Sequence, residues 1–311
     1  MNYNLTEIKY PSSDGSHTIY AEIYSPKNRT AKGVVQLAHG MIDYTARYTE
    51  LADYLTARGY IFAGNHHLGH GLSVSDPSEY GCFADRGGLD YVLGDMHAFN
   101  KILREMFPTL PVVLFGHSMG SFLSRIYATQ HHRSIKGLII HGTGGKNPLV
   151  GMGMAVAGLV RRIYGPKHRS ELINTLAFGS YNKRFPKEEG HNAWLTRETH
   201  LVADRDTNEF TSFKFTASGY LDLFTALKRS NSGAWYKNYP KELPTLIISG
   251  DSDPVGSYGK GPREVYRRLM LSGASNVTLK LYEGARHELF KESCREEYFE
   301  DVYKWLEGVI R

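Results

Sequence analysis

The feature that most restricts the fold is a series of apolar runs with helical patterns between them: VVQLA, YIFAG, VVLFG, LIIHG and LIISG. A strand that is apolar on both faces must be covered on both faces, and this is the condition of a parallel sheet flanked by helices. The intervening segments RYTELADYLTARG, GLDYVLGDMHAFNKILREMFP and FLSRIYATQHH place apolar residues at helical spacing. An α/β, doubly wound, mostly parallel sheet of about eight strands is therefore expected. At the N-terminus, NLTEIKY and HTIYAEIY alternate about the turn Ser13-Asp14-Gly15-Ser16, the signature of an antiparallel hairpin.

The alternation stops after Gly142. Residues 147–212 read as irregular and helical, with PLVGMGMAVAGLVRRIYG and RSELINTLAFG, and the strand–helix order then resumes. One core in two parts, 1–146 and 213–311, interrupted by a helical cap insertion after the sixth strand, is the simplest organisation. At 311 residues this is within the range of a single large α/β domain. The net charge of +5 is small and dispersed, which argues against nucleic acid as a partner. Two cysteines, Cys82 and Cys294, can form neither a disulfide framework nor a zinc site and are expected as free thiols. With neither a secretory pattern nor an 18-residue apolar run, a cytoplasmic protein is expected.

The apolar run VVLF leads directly into Gly116-His117-Ser118-Met119-Gly120 and then into a helical pattern. A G-x-S-x-G sequence between strand and helix is a nucleophile elbow, in which the glycines make room for a serine held in a strained backbone conformation. The helix N-terminus that follows directs positive potential at the serine. Serine is a weak nucleophile at neutral pH and needs a base and an orienting acid. Asp251 and Asp253 follow one late strand and His287 follows the next; Asp253, farther into its loop, is the expected acid, with Asp251 as a turn residue. An Asp-x-Asp metal site is disfavoured because no further ligands follow at matching spacing. The oxyanion donors are expected to be the amides of Met119 and Met41, with Gly40 permitting the close turn and His39 bracing the loop.

On these residues the chain resembles the α/β-hydrolases of the monoacylglycerol lipase and lysophospholipase group, also described as serine aminopeptidase-like. The segments that carry the likeness are LAHGMIDYTARYTELADYL, GHGLS, VVLFGHSMGSFLSRIYA, LIISGDSDPVG and GARHELFKE. The resemblance implies an α/β-hydrolase fold with catalytic Ser118, Asp253 and His287 and an oxyanion hole of Met41 and Met119. It also implies hydrolysis of carboxylic esters through an acyl-enzyme, without metal or organic cofactor. Two departures stand out: Asp43 and Tyr44 occupy positions where the group favours glutamate and histidine, and His66 precedes Gly69-His70-Gly71 where it favours aspartate.

Substrate choice is expected in the cap, with Met152, Met154, Val156 and Leu159 lining an acyl pocket beside Gly40 and His117. A helix packed on the core without lipid contact is the second reading, and a transient membrane-surface contact of the same segment, rimmed by Arg161, Arg162 and Lys167, is the third. The aromatic segments AWLTRETHL and EFTSFKFTASGYLDLF could close the far wall, but Trp194, Phe213 and Phe215 are expected mainly in the core. The alternatives are an iminopeptidase, for which Glu188, Glu189, Glu198, Asp204, Asp206 and Glu209 could supply a cap carboxylate, a small-ester esterase, and a catalytically silent ligand-binding protein.

Overall fold

The computed structural model describes residues 1–310. The chain opens with β1 (Tyr3–Pro11), β2 (Thr18–Pro26) and β3 (Gly33–Ala38), then α1 (Thr49–Thr56) and β4 (Tyr60–Asn65). Next come α2 (Gly88–Met106), β5 (Val112–His117), α3 (Met119–His131) and β6 (Gly137–His141). A stretch without strands follows, holding α4 (Val150–Tyr164), α5 (Glu171–Phe178) and several short 3-10 turns. The core resumes with α6 (Ala217–Ser230), α7 (Gly233–Asn238), β7 (Thr245–Gly250), α8 (Lys260–Leu271), β8 (Val277–Tyr282) and α9 (Arg295–Val309).

The eight strands form one sheet in the order β1-β2-β4-β3-β5-β6-β7-β8. β2 is antiparallel to both β1 and β4, and every other pair is parallel. The doubly apolar strands divide as their two-residue period requires. Val34, Leu114, Leu138 and Ile140 pack with α2, α3, α6 and α8 on one face. Val35, Phe115, Ile139 and Ile248 pack with α1 and α9 on the other. Three helices of the second half start on side-chain caps: Ser170 on α5, Thr216 on α6 and Ser232 on α7 each accept a hydrogen bond from a first-turn amide.

The order of the strands determines where a site can form. The chain passes from β3 outward to β4 and then returns to lay β5 on the other side of β3. The loops leaving β3 and β5 therefore part in opposite directions and leave a crevice at the carboxyl edge of the sheet. The parallel register pairs Ala38 with Gly116 and His117 with His141, so the β3, β5 and β6 loops emerge at one level.

Candidate active site

Ser118 stands at the mouth of that crevice with φ 54° and ψ −119°, a region that side chains rarely occupy. It is half-buried, while its neighbours His117 and Met119 are buried. Its amide donates to the His141 carbonyl at 2.9 Å, and its carbonyl accepts from the Ser121 amide at 2.8 Å. The glycines are obligatory for a steric reason. A Cβ on Gly120 would lie 1.9 Å from the Ala38 carbonyl oxygen, and one on Gly116 would lie 2.3 Å from Ser124 Oγ. The elbow is pressed against β3 and its own helix and has no room for a methyl group.

His287 and Asp253 meet at this edge from the loops after β8 and β7. His287 Nδ1 is 2.9 Å from Asp253 Oδ2, and both side chains are almost fully buried. Asp253 is itself fixed by the Val255 amide at 2.8 Å and by Ser249 Oγ. A carboxylate facing Nδ1 keeps the proton there and leaves the Nε2 lone pair free to act as a base. Asp251 plays a different part: its Oδ1 accepts from the Gly284 amide at 2.8 Å and ties the β7 loop to the β8 loop. Beneath His287, the His117 ring lies 4.8 Å away, and His117 Nδ1 contacts His141 Nδ1 at 3.1 Å. Burial lowers the pKa of both His117 and His141, which favours neutral rings under the base.

The β3 loop reaches the serine from the opposite side. A Cβ on Gly40 would lie 3.3 Å from Ser118 Cβ, which measures how closely the loop approaches. His39 braces this loop as expected: its Nε2 accepts from the His67 amide at 3.0 Å, so Nδ1 carries the proton and donates to the Gly40 carbonyl at 2.8 Å. Asp43, which replaces the group's glutamate, is buried and accepts from Tyr48 Oη at 2.6 Å, from Arg47 at 2.9 Å and from the Gly40 amide at 3.3 Å. Burial pushes its carboxyl up, but Arg47, His39 and Tyr48 outweigh this and hold it at about 2. Arg47 also grips Glu288, the residue after His287, at 2.9 and 2.6 Å. The two loops thus share a buried ion network. Arg47 and Tyr48 lie in the segment LAHGMIDYTARYTELADYL that carries the resemblance, but the pairing of Arg47 with Glu288 across the fold could not be read from it.

Ser118, His287, Gly40, Met41, His117 and Met119 all border a cavity of about 490 Å³. This volume suits a small organic ligand. The other walls correct the expectation for the cap. Phe178 and Asn174 of α5, with Tyr181, Trp194, Arg205 and Phe213, line the cavity. None of Met152, Met154, Val156 and Leu159 of α4 does so. The small side of α4 is the one that packs inward: Ala157 is buried, and a Cβ on Gly153 would lie 3.2 Å from the Phe224 ring of α6. Val156 packs on the core, while Met152 and Leu159 are turned outward and exposed. Trp194 and Phe213 take the far-wall place rather than a purely core one, with Phe213 also packed against the core, and the Trp194 ring lies 5.1 Å from that of His287. Phe215 is fully buried, as expected. Trp194 was visible in the sequence as an aromatic of the cap, but nothing in the local pattern singled out Arg205.

Comparison with known proteins places this geometry in context. The family described as Hydrolase_4, serine aminopeptidase S33, matches residues 29–294. A monoacylglycerol lipase of Mycolicibacterium smegmatis is 24% identical over 97% of this chain and 96% of its own length. Among solved structures, a highly thermostable carboxyl esterase from Bacillus coagulans in complex with glycerol superposes with a TM-score of 0.92 at 29% identity, covering 99% of both chains. A lipase in its open form gives 0.89 at 27% identity, over 99% of this chain and 100% of that one.

Proposed function

Because the chain belongs to the serine aminopeptidase S33 family of hydrolases, we propose that it is a serine hydrolase of lipid carboxylic esters, of monoacylglycerol or lysophospholipid type. The observation that carries this reading is the meeting of Ser118, His287 and the His287–Asp253 hydrogen bond around one cavity at the sheet edge. The lipid assignment rests on the lipase and esterase relatives and on aromatic and aliphatic cavity walls such as Phe122, Phe178 and Leu223.

In this reaction His287 Nε2 takes the Ser118 proton as Oγ attacks the acyl carbonyl. The charge that develops on the carbonyl oxygen is received by the Met41 and Met119 amides, each such donor being worth about 3 kcal/mol in the transition state. Asp253 holds the imidazole orientation and stabilises the imidazolium. His287 then protonates the departing alkoxide, which leaves the acyl group on Ser118. Water, deprotonated by His287, attacks the acyl-enzyme, and collapse of the second tetrahedral intermediate releases the acid and restores Ser118.

The aminopeptidase reading needs a cap carboxylate free to hold an amine. Of the acidic residues considered for it, Asp206 borders the cavity, but it faces His191 Nε2 at 2.9 Å and Asn192 at 3.2 Å. Glu189 is paired with Arg286. The ester reading is therefore preferred.

Contact with a lipid surface is the finer part of the proposal. Leu149, Met152, Leu159 and Ile163 of α4 and its N-terminal flank recur at helical spacing and are exposed, next to Leu172 and Leu176 of α5. Arg162 and Lys167 stand exposed nearby to meet anionic head groups. Among the described residues no helix is long and apolar enough to cross a membrane.

A fluorophosphonate probe should label the protein and fail to label Ser118→Ala. Turnover is then compared across acyl lengths with glycerol, glycerophospho, aryl and aminoacyl leaving groups. Equal labelling of Ser118→Ala would refute the nucleophile, and preference for aminoacyl amides over every ester would refute the lipid assignment.

A further inference from the structure

Ile42, the residue after Met41, has φ 54°. For a β-branched side chain this left-handed conformation is costly, on the order of 1–3 kcal/mol, and persists only where its surroundings impose it. Two hydrogen bonds impose it here. The Ile42 amide donates to His70 Nε2 at 3.3 Å, and the Ile42 carbonyl accepts from Arg205 Nη2 at 3.0 Å. His70 belongs to the core, in the loop after β4; Arg205 belongs to the insertion between β6 and β7.

Arg205 is built to hold this position. Its side chain is nine-tenths buried, and Nη1 lies 3.6 Å from Glu288 Oε1. Its own carbonyl is anchored by Thr211 Oγ1 at 2.8 Å. One guanidinium thus touches the loop that presents the Met41 amide and the residue that follows His287. The cap reinforces the grip two residues on, where Asn208 Nδ2 donates to Tyr44 Oη at 3.0 Å and the Phe210 ring lies 5.2 Å from that of Tyr44. The local charge balance makes the arrangement affordable: Arg47 and Arg205 are matched by Asp43 and Glu288.

We infer that Arg205 is a positioning residue of the cap that clamps the Ile42 carbonyl and so holds the Met41 amide in its oxyanion-binding pose. The inference rests on the hydrolase reading above and extends it: the oxyanion hole is completed only when the cap sits on the β3 loop. Loss of the clamp lets Ile42 relax to an ordinary backbone conformation and turns the Met41 peptide away from Ser118. Arg205 is also one of the cavity's wall residues, so the loss specific to the oxyanion is read in kcat and in a transition-state mimic rather than in KM.

The test compares Arg205→Gln and Arg205→Lys with wild type, using Arg197→Ala as control. Arg197 is also a cap arginine paired with a buried core carboxylate, Glu292 at 2.8 Å, but it has no contact with the β3 loop. An acyl trifluoromethyl ketone reports the oxyanion directly, because its adduct with Ser118 is an anionic tetrahedral species detectable by fluorine NMR. Arg205→Gln should lower kcat toward the roughly 100-fold that loss of one oxyanion donor costs. It should weaken the ketone adduct by the same factor, a larger change than the one in KM that follows from altering a cavity wall residue. Arg205→Lys, which keeps the charge and one donor, should recover part of both losses, and if the Gln variant does not fold it carries the comparison alone. Adduct affinity unchanged in the Arg205 variants, or lowered equally by Arg197→Ala, overturns the inference while the hydrolase stands. Absence of any Ser118 adduct in wild type would overturn both.

Discussion

Gly120→Ala is the sharpest probe of the elbow. The added methyl would come within 1.9 Å of the Ala38 carbonyl oxygen and 2.7 Å of that of His39, where contacts below 3.0 Å are essentially never tolerated. Neither oxygen belongs to a flexible side chain. Ala38 ends β3, which is held between β4 and β5 in the middle of the sheet. The start of α3 must instead retreat by about an ångström, and Ser118, two residues away, must move with it. Overpacking of this kind costs about 1–3 kcal/mol, which lowers Tm by roughly 1.5–5 °C in a chain of 311 residues. A displacement near 1 Å at the reacting atom costs about 100-fold in rate. Differential scanning calorimetry gives the first quantity and turnover of a short-chain aryl ester the second, with active sites counted by fluorophosphonate titration. Gly158→Ala is the control, because a methyl there meets nothing within 4 Å and lies within α4. It should be neutral or stabilising by up to about 1 kcal/mol. If Gly120→Ala keeps the wild-type Tm and a kcat within about threefold, the steric account of the elbow is wrong.

Three further outcomes are expected. Asp253→Asn should lower kcat by about 10⁴-fold through loss of the His287 tautomer, whereas Asp251→Asn should leave kcat within about threefold; equal losses in steady-state kinetics would reverse the assignment. The buried His66, His67 and His70 are held below the ordinary histidine range by burial, His70 at about 3. The unfolded chain therefore takes up protons below about pH 6.5 that the folded chain refuses, so stability should be level above that pH and fall as pH drops beneath it. Both ring nitrogens of His67 lack partners, so His67→Leu should flatten this decline by about 1.4 kcal/mol per pH unit in urea titrations; an unchanged slope would contradict a neutral buried ring. Finally, Leu159→Asp with Ile163→Asp should weaken sedimentation with anionic vesicles severalfold while turnover of a soluble short-chain ester stays within about twofold; undiminished vesicle binding would remove α4 from the proposed contact.

The core of this fold was legible in the sequence because its determinants are local. Runs such as VVLFG and LIISG can be buried on both faces only in a covered sheet, and the ladder places Val112 and Leu114 with one helical layer and Val113 and Phe115 with the other. The hairpin of β1 and β2 and the strand-free stretch after β6 fall where composition placed them. The Gly116 to Gly120 elbow was legible for the same reason, since a strained turn between strand and helix restricts which residues can form it. Asp253 and His287 were legible because each follows a strand that must end at the same edge.

The cap was different. The sequence of α4, which combines glycine, alanine and methionine with branched aliphatics, suggested an acyl pocket, but only packing could show which side of that helix faces inward. Close approach to α6 selects Gly153 and Ala157 and expels Met152 and Leu159. The cavity wall passes instead to Phe178, at the end of α5, and to Trp194 and Phe213, which lie in irregular segments. The ion network of Asp43, Arg47, Glu288 and Arg205 joins residues up to 245 positions apart, as Asp43 and Glu288 show when both bind Arg47. Sequence alone determined the sheet, the elbow and the chain order in which Ser118, Asp253 and His287 reach one sheet edge, because each is set by neighbours along the chain. Tertiary structure alone decided the cavity walls and the hydrogen bond of Arg205 to the β3 loop, because those depend on which surfaces meet once the chain has folded.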